Sequence, residues 1–270
     1  MKDILVHVDG SARAQARIEI ALDLMSRFGG RLTGLFAQSE EHRISAVARR
    51  SSEGLDQAAD KAAAQFDDLC RKRGVDGRWW RLPHGEPDFV VSELAFCARY
   101  FDLVILGQPE EGGSLVPEDM IERVVLNCGR PVLIVPYVWR HVALGRRILV
   151  AWNASPEVTR AVHDAMPLLA VADSVTVVSM RQPGVEVAQA AGCPPVDILD
   201  HLLSWGVAAV GEHLPNDHIG KMDMLLSRAF DMGVDLLVMG AHGHDGPSLL
   251  RNSATQHLLR HMTLPVLMAH

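Results

Sequence analysis

The chain has 270 residues, enough for one large domain or two modest ones, and 48% of them are hydrophobic, which excludes a disordered or collagen-like polypeptide. With 26 Lys and Arg against 33 Asp and Glu it carries a net charge of -7, and it has no block of basic residues such as a nucleic-acid partner requires. No apolar run approaches the roughly 18–20 residues that span a bilayer, and Met1 to Asp9 runs straight into a strand pattern with no leader-like stretch, so a cytoplasmic location is expected, with no membrane partner.

In chain order, residues 3–8 form a continuous apolar run that predicts a buried strand. Ala14, Ile18, Ala21, Leu22, Met25 and Phe28 recur at helical spacing, and Gly29-Gly30 stops that helix. A strand at 31–37 follows, then a long Ala-rich helical region over about 42–73 that ends at Gly74. Next come a strand at 76–82, a helix at 88–99, a strand at 102–107, a helix at 117–128 and a strand at 131–135. The same alternation then restarts. Strands are expected at 147–152, 174–180, 206–213, 235–240 and 265–269, with helices at 156–170, 196–204, 218–232 and 253–262 and a loop over 183–195.

The restart is a repeat. Ile4-Leu5-Val6-His7-Val8-Asp9-Gly10-Ser11 aligns with Ile148-Leu149-Val150-Ala151-Trp152-Asn153-Ala154-Ser155. Asp102-Leu103-Val104-Ile105-Leu106-Gly107 aligns with Asp235-Leu236-Leu237-Val238-Met239-Gly240, and Pro131-Val132-Leu133-Ile134 with Pro265-Val266-Leu267-Met268. Three matches in one order mean two copies of one unit, the second shorter in its middle. Apolar strands separated by helices imply α/β units with a parallel, doubly wound sheet. Ligands of such sheets sit beyond the carboxyl ends of the strands, where strand order reverses.

Ser11 and Ser155 read there as helix caps, and Pro156 suits a first helical position. Asp9 and Asn153 come too early to cap; an acceptor there suits a sugar hydroxyl or an adenine amine. In copy two the run Gly240-Ala241-His242-Gly243-His244-Asp245-Gly246 precedes a helix opening near Ser253-Ala254-Thr255-Gln256. Glycine backbone amides and a free helix amino terminus suit a phosphate; a loop followed by a capping box, Ser253 to Gln256, is the plainer reading. His257 and His261 share a helical face, but no carboxylate stands at a standard metal spacing, so no metal is expected. Of Trp79-Trp80, one ring is expected in the core and one at the surface, and Trp152 either packs or stacks on a base. The four cysteines, Cys70, Cys97, Cys128 and Cys193, are far apart and read as buried thiols.

The Val-Asp-Gly-Ser after the opening strand, the Val-Met-Gly-Ala-His-Gly run at 238–243 and the closing Leu264-Pro265-Val266-Leu267-Met268 resemble the universal stress protein family in its tandem two-domain form, over essentially the whole chain. The resemblance implies two tandem five-stranded parallel sheets, each of order 3-2-1-4-5 and of the adenine nucleotide alpha hydrolase-like type, in domains 1–136 and 147–270. It also implies that the last strands pair between domains and that a nucleotide lies between strands one and four. ATP-binding relatives carry G-x-x-G, nine residues, then G-[ST]. Copy two has Gly240 and Gly243, then residues 244–252, then Ser253-Ala254 where the family has Gly-Ser, with Thr255 next. Copy one keeps Asp9 but has Gly107-Gln108-Pro109-Glu110, with Glu111 beside it, in place of the glycine loop. Pro109 removes an amide and the two carboxylates oppose a phosphate.

The site implied is therefore Ala151, Asn153, Gly240, His242, Gly243, Ser253, Ala254 and Thr255, holding ATP or another adenine nucleotide weakly. The expected function is that of a stress-responsive regulatory protein rather than an enzyme, for no catalytic constellation is seen. The partners expected are the nucleotide and a protein, with the chain acting as a monomer that contains its own pseudo-dimer or as a homodimer. A non-nucleotide structural or interaction module and an ATP-using enzyme on the same fold stand as the rival readings.

Overall fold

The computed structural model describes residues 1–40, 51–109, 115–140, 143–179, 196–214, 220–241 and 254–270. They divide into two compact units, Met1–Ala143 and Leu144–His270.

Unit 1 contains β1 (Asp3–Val8), α1 (Ala14–Phe28), β2 (Arg31–Phe36), α2 (Glu53–Arg73), β3 (Gly77–Arg81), α3 (Pro87–Ala98), β4 (Leu103–Gly107), α4 (Met120–Cys128) and β5 (Val132–Val135). All pairings are parallel, in the order β3-β2-β1-β4-β5. β1 lies between β2 and β4, so Ile4 registers with Leu32 on one side and Leu103 on the other. Every residue of β4 and β5 is buried, as parallel strands covered on both faces must be. α1 packs on α2, and α3 on α4, which is the segregation of helices that right-handed crossovers impose on this strand order.

Unit 2 repeats the plan with β6 (Arg147–Trp152), α5 (Pro156–Leu169), β7 (Ser174–Ser179), α6 (Ile198–Ser204), β8 (Ala209–His213), α7 (Lys221–Asp231), β9 (Leu236–Gly240), α8 (Ala254–His261) and β10 (Val266–Ala269). Its order, β8-β7-β6-β9-β10, is again parallel throughout. The repeated aspartate ahead of the fourth strand has a structural cause. Asp102 accepts the backbone N–H of Lys2 and Asp3, and Asp235 accepts those of Gly145, Arg146 and Arg147. Each carboxylate ties the entry to its unit's first strand to the entry to its fourth.

Sequence expectation and structure differ at the second helix. It begins at Glu53 because Ser52 is extended and its hydroxyl accepts the Leu55 N–H at 3.0 Å, a cap that fixes the first turn. Residues 41–50 and the loop expected at 183–195 lie outside the described residues. At the far end Gly74 stops the helix with φ 64°, a left-handed position that favours glycine.

Phe66 carries the packing of α2 onto the sheet. Its ring lies 5.4 Å from that of Trp79, over two glycines: a Cβ on Gly34 would come within 2.9 Å of the ring, and one on Gly77 within 2.7 Å. The missing side chains are the space into which the phenyl group fits. Trp80, on the opposite face of β3, is exposed and meets Phe101 edge-on, so the two tryptophans divide as their alternation on a strand requires. The Phe66→Ala variant is expected to lose about 3–5 kcal/mol in urea unfolding. A loss below about 1 kcal/mol would show that α2 is held by something else.

Candidate functional site

In unit 1 the chain leaves β1 at Val8 and enters α1 at Ala14. Asp9 is buried in that turn; Ser11 gives it both its N–H, at 3.0 Å, and its hydroxyl. The Ser11 side chain is therefore not the cap expected from the sequence. The buried carboxylate accepts the hydrogen bond of its hydroxyl, and α1 starts with a backbone bond from Ala14 N–H to the Ser11 carbonyl.

The partner that the sequence reading missed is Arg17. It projects from the buried face of α1, and its guanidinium spans the carboxyl ends of β1 and β4. Nη2 stands 2.9 Å from Asp9 Oδ2, and Nε donates to the His7 carbonyl at 3.0 Å. Both ionic side chains are more than nine-tenths buried. Against β4, a Cβ added to Gly107 would lie 2.3 Å from Arg17 Nη1, so the group rests directly on the end of that strand. The signal was available: an arginine one turn after Ala14 and next to Ile18 stands among apolar neighbours on the helix, where a charge requires a partner.

Three groups share this enclosure and set one another's charge. Burial alone would raise the Asp9 carboxyl, but Arg17, with help from His7 and the two Ser11 donors, brings it down to about 2. Burial brings His7 down to about 4, with the Arg17 charge acting in the same direction and Asp9 and the Ala37 carbonyl opposing it. His7 is thus neutral near pH 7. Its Nε2 lies 2.7 Å from the Ala37 carbonyl, so the proton sits there, and the buried Nδ1 has no hydrogen-bond partner.

In unit 2 the corresponding turn differs at all of these positions but the glycine. By the repeat, Asn153 stands for Asp9, Ala161 for Arg17, Trp152 for Val8 and Gly240 for Gly107. Asn153 is exposed, and its Oδ1 accepts the Ser155 N–H at 3.0 Å. Ser155 caps α5 as expected, accepting the Val158 N–H at 3.3 Å. Between them Ala154 has φ 57°, a left-handed conformation that costs an alanine about 1–2 kcal/mol.

Ala151 and Asn153 follow β6 to its carboxyl end, and Gly240 closes the adjacent β9. Gly240 has a packing role of its own: a Cβ there would be 2.5 Å from the Val158 nitrogen, so the first turn of α5 rests on it. Glu157 borders the same glycine, and one of its carboxylate oxygens is buried without a partner. Ala254 is the first residue of α8, and Thr255 is buried beside it. Because β9 and β10 are parallel, α8 belongs to the crossover that leaves the carboxyl end of β9 and returns to the amino end of β10. His242, Gly243 and Ser253 lie outside the described residues.

Other sequence candidates sort as follows. The His257 and His261 rings stack 4.2 Å apart, and Asp223 of α7 meets His257 Nε2 at 2.7 Å. Among the described residues no three His, Cys, Asp or Glu side chains gather as a metal site would need, and no helix is long and apolar enough to cross a membrane. Cys70 and Cys128 are buried and Cys97 partly so; burial pushes all three thiols up, Cys70 to about 11. Cys193 lies outside the described residues.

The depressed His7 value has a signed consequence. Unfolded, the ring takes a proton near 6.5, whereas the folded chain refuses it until about pH 4. The stability it contributes is complete above pH 6.5 and is lost as pH falls toward 4, by up to about 3 kcal/mol. Asp9, depressed from 3.8 to about 2, adds its own loss below that window. Urea unfolding from about pH 7 to about pH 4 is expected to show the His7 slope, and His7→Gln, which retains a donor for the Ala37 carbonyl, is expected to flatten it. An unchanged slope in the variant would overturn the assignment.

Comparisons with known proteins bear on the fold. The family model described as "Universal stress protein family" matches residues 218–270. Universal stress protein Slr1230 of Synechocystis sp. is 24% identical over 299 aligned positions, which take in 99% of each chain. A universal stress protein from Archaeoglobus fulgidus has the same fold, with a TM-score of 0.72 at 16% identity over 98% of this chain and 97% of that one. A functionally unknown protein from Pseudomonas aeruginosa PAO1, PA1789, superposes with a TM-score of 0.58 at 16% identity, over 97% of this chain and 91% of its own. By sequence along its whole length, by fold, and by the family model matched in its second unit, the chain is similar to the universal stress proteins, and the resemblance read from its motifs is borne out.

Proposed function

We propose that the chain is a stress-responsive regulatory protein that binds an adenine nucleotide weakly through unit 2 and catalyses no reaction on it. The observation that carries the reading is the contrast at the strand ends. Unit 1 fills the crevice between its first and fourth strands with its own Arg17, whereas unit 2 has Ala161 at that position. There Asn153 offers a side-chain amide at the surface for a base or a ribose, and α8 lies in the crossover that leaves the carboxyl end of the adjacent β9. In this reading Ala151 and Asn153 take the nucleoside, while Gly240, His242, Gly243, Ser253, Ala254 and Thr255 take the phosphates. The strained Ala154 beside Asn153 supports a functional turn, since such conformations persist where the surrounding structure demands them.

The binding is weak for physical reasons. Ser253-Ala254 lacks the glycine and the serine of the family cradle. Glu157, whose backbone and Cβ border Gly240, adds a negative charge to the first turn of α5, which opposes a phosphate. An affinity in the micromolar range or poorer follows. The protein works in the cytoplasm as a monomer or homodimer, without nucleic acid, and reports nucleotide level to a protein partner. The rival reading, a pure interaction module, draws support from unit 1, where the protein occupies its own crevice.

Calorimetry with ATP tests the assignment. Gly243→Val, which puts a side chain into the phosphate path, is expected to weaken binding at least tenfold, about 1.4 kcal/mol. Glu110→Val is expected to change nothing. Unchanged affinity in Gly243→Val, or loss confined to Glu110→Val, would place the site elsewhere. No heat with any of the three proteins would favour the interaction module.

A further inference from the structure

We propose that Arg17 is the residue that decides which unit can accept a ligand: it is a plug, built from the chain itself, that shuts the strand-end crevice of unit 1 against a nucleoside. The proposal takes from the preceding reading only the place in such a unit where a nucleoside would sit, not its claim that unit 2 binds.

The geometry is specific to a plug. The guanidinium bridges the point where strand order reverses, from the His7 carbonyl and Asp9 at the end of β1 to Gly107 at the end of β4. That point is where an open α/β sheet presents its ligand crevice. The carboxylate at the mouth, Asp9, faces protein groups with both oxygens: Oδ1 takes the two Ser11 donors and Oδ2 stands 2.9 Å from Arg17 Nη2. A ribose hydroxyl approaching Asp9 from the β4 side meets the Arg17 guanidinium first. Gly107 leaves no side chain above β4, and Arg17 fills that space.

The repeat supplies the comparison. Unit 2 has Ala161 and Asn153 at the two positions of the ion pair. The arginine and the aspartate are present together in one unit and absent together from the other, as expected of a pair in which neither charge is tolerable alone when buried. Removing the plug opens a crevice with no phosphate cradle, since Pro109, Glu110 and Glu111 remain. The ligand class it would then admit is a neutral nucleoside rather than a nucleotide.

The experiment compares adenosine uptake by the full chain and three variants in equilibrium dialysis. Arg17→Ala removes the plug but leaves Asp9 buried and unpaired. Arg17→Ala with Asp9→Asn gives unit 1 the residues with which unit 2 already folds, and so guards against a folding failure. Arg17→Lys keeps a long cation in place. The double variant is expected to bind one more adenosine per chain than the unaltered protein, and Arg17→Lys none more. The count separates the two claims: zero rising to one supports the plug while refuting binding by unit 2, and one rising to two supports both. No rise in a folded double variant overturns the plug. On the unaltered protein, hydrogen exchange provides a check that needs no variant. Amides at 7–11 and 104–108 are expected to gain no protection from millimolar adenosine, and protection there would overturn the proposal.

Discussion

The ion pair between Arg17 and Asp9 is the constraint on which the strand-end half of unit 1 depends. Two charges taken out of water cost several kcal/mol each and recover it only with good geometry and additional hydrogen bonds. Here the carboxylate has Ser11 and the guanidinium has the His7 carbonyl. The pair therefore fixes the turn after β1, holds α1 to the ends of two strands and requires glycine at 107. It also reaches back to His7, which stays neutral because it is buried beside a fixed cation. Losing either charge would expose the other to the full cost of burial.

Unit 2 shows what the same framework does without that pair. Both units retain the aspartate that ties the entries to the first and fourth strands together, so the sheet is registered in the same way. Gly107 and Gly240 are identical residues kept for different reasons. The first makes room for a guanidinium and the second for the backbone at the start of α5. The repeat thus preserves the scaffold while the two strand-end turns have diverged, one toward an enclosed polar cluster and one toward an exposed amide on a strained turn.

Much of the scaffold was legible in the sequence. Continuous apolar runs marked the buried strands, and the spacing of Ala14, Ile18, Ala21 and Met25 marked α1, because burial on two faces or on one stripe leaves those patterns. The start of α2 was not legible, since an Ala-rich stretch continues a helical pattern and only the cap at Ser52 ends it. The two strand-end turns were read in half. Asp9 and Asn153 were recognised as poor caps, and Asn153 has its oxygen on a backbone amide two residues on. Ser11 was misassigned and Arg17 overlooked for one reason: both act through Asp9 across a fold that brings a helix side chain to a strand end, and local spacing carries no record of such a contact.

Native mass spectrometry under increasing ATP, with photocrosslinking by an azido-adenine analogue to locate the bound molecule, tests most directly whether the two units have divided in this way. One nucleotide per chain, with the label in peptides from Leu144–His270, is the expected result. Two nucleotides per chain, or a label at the turn that holds Asp9 and Arg17, would contradict it.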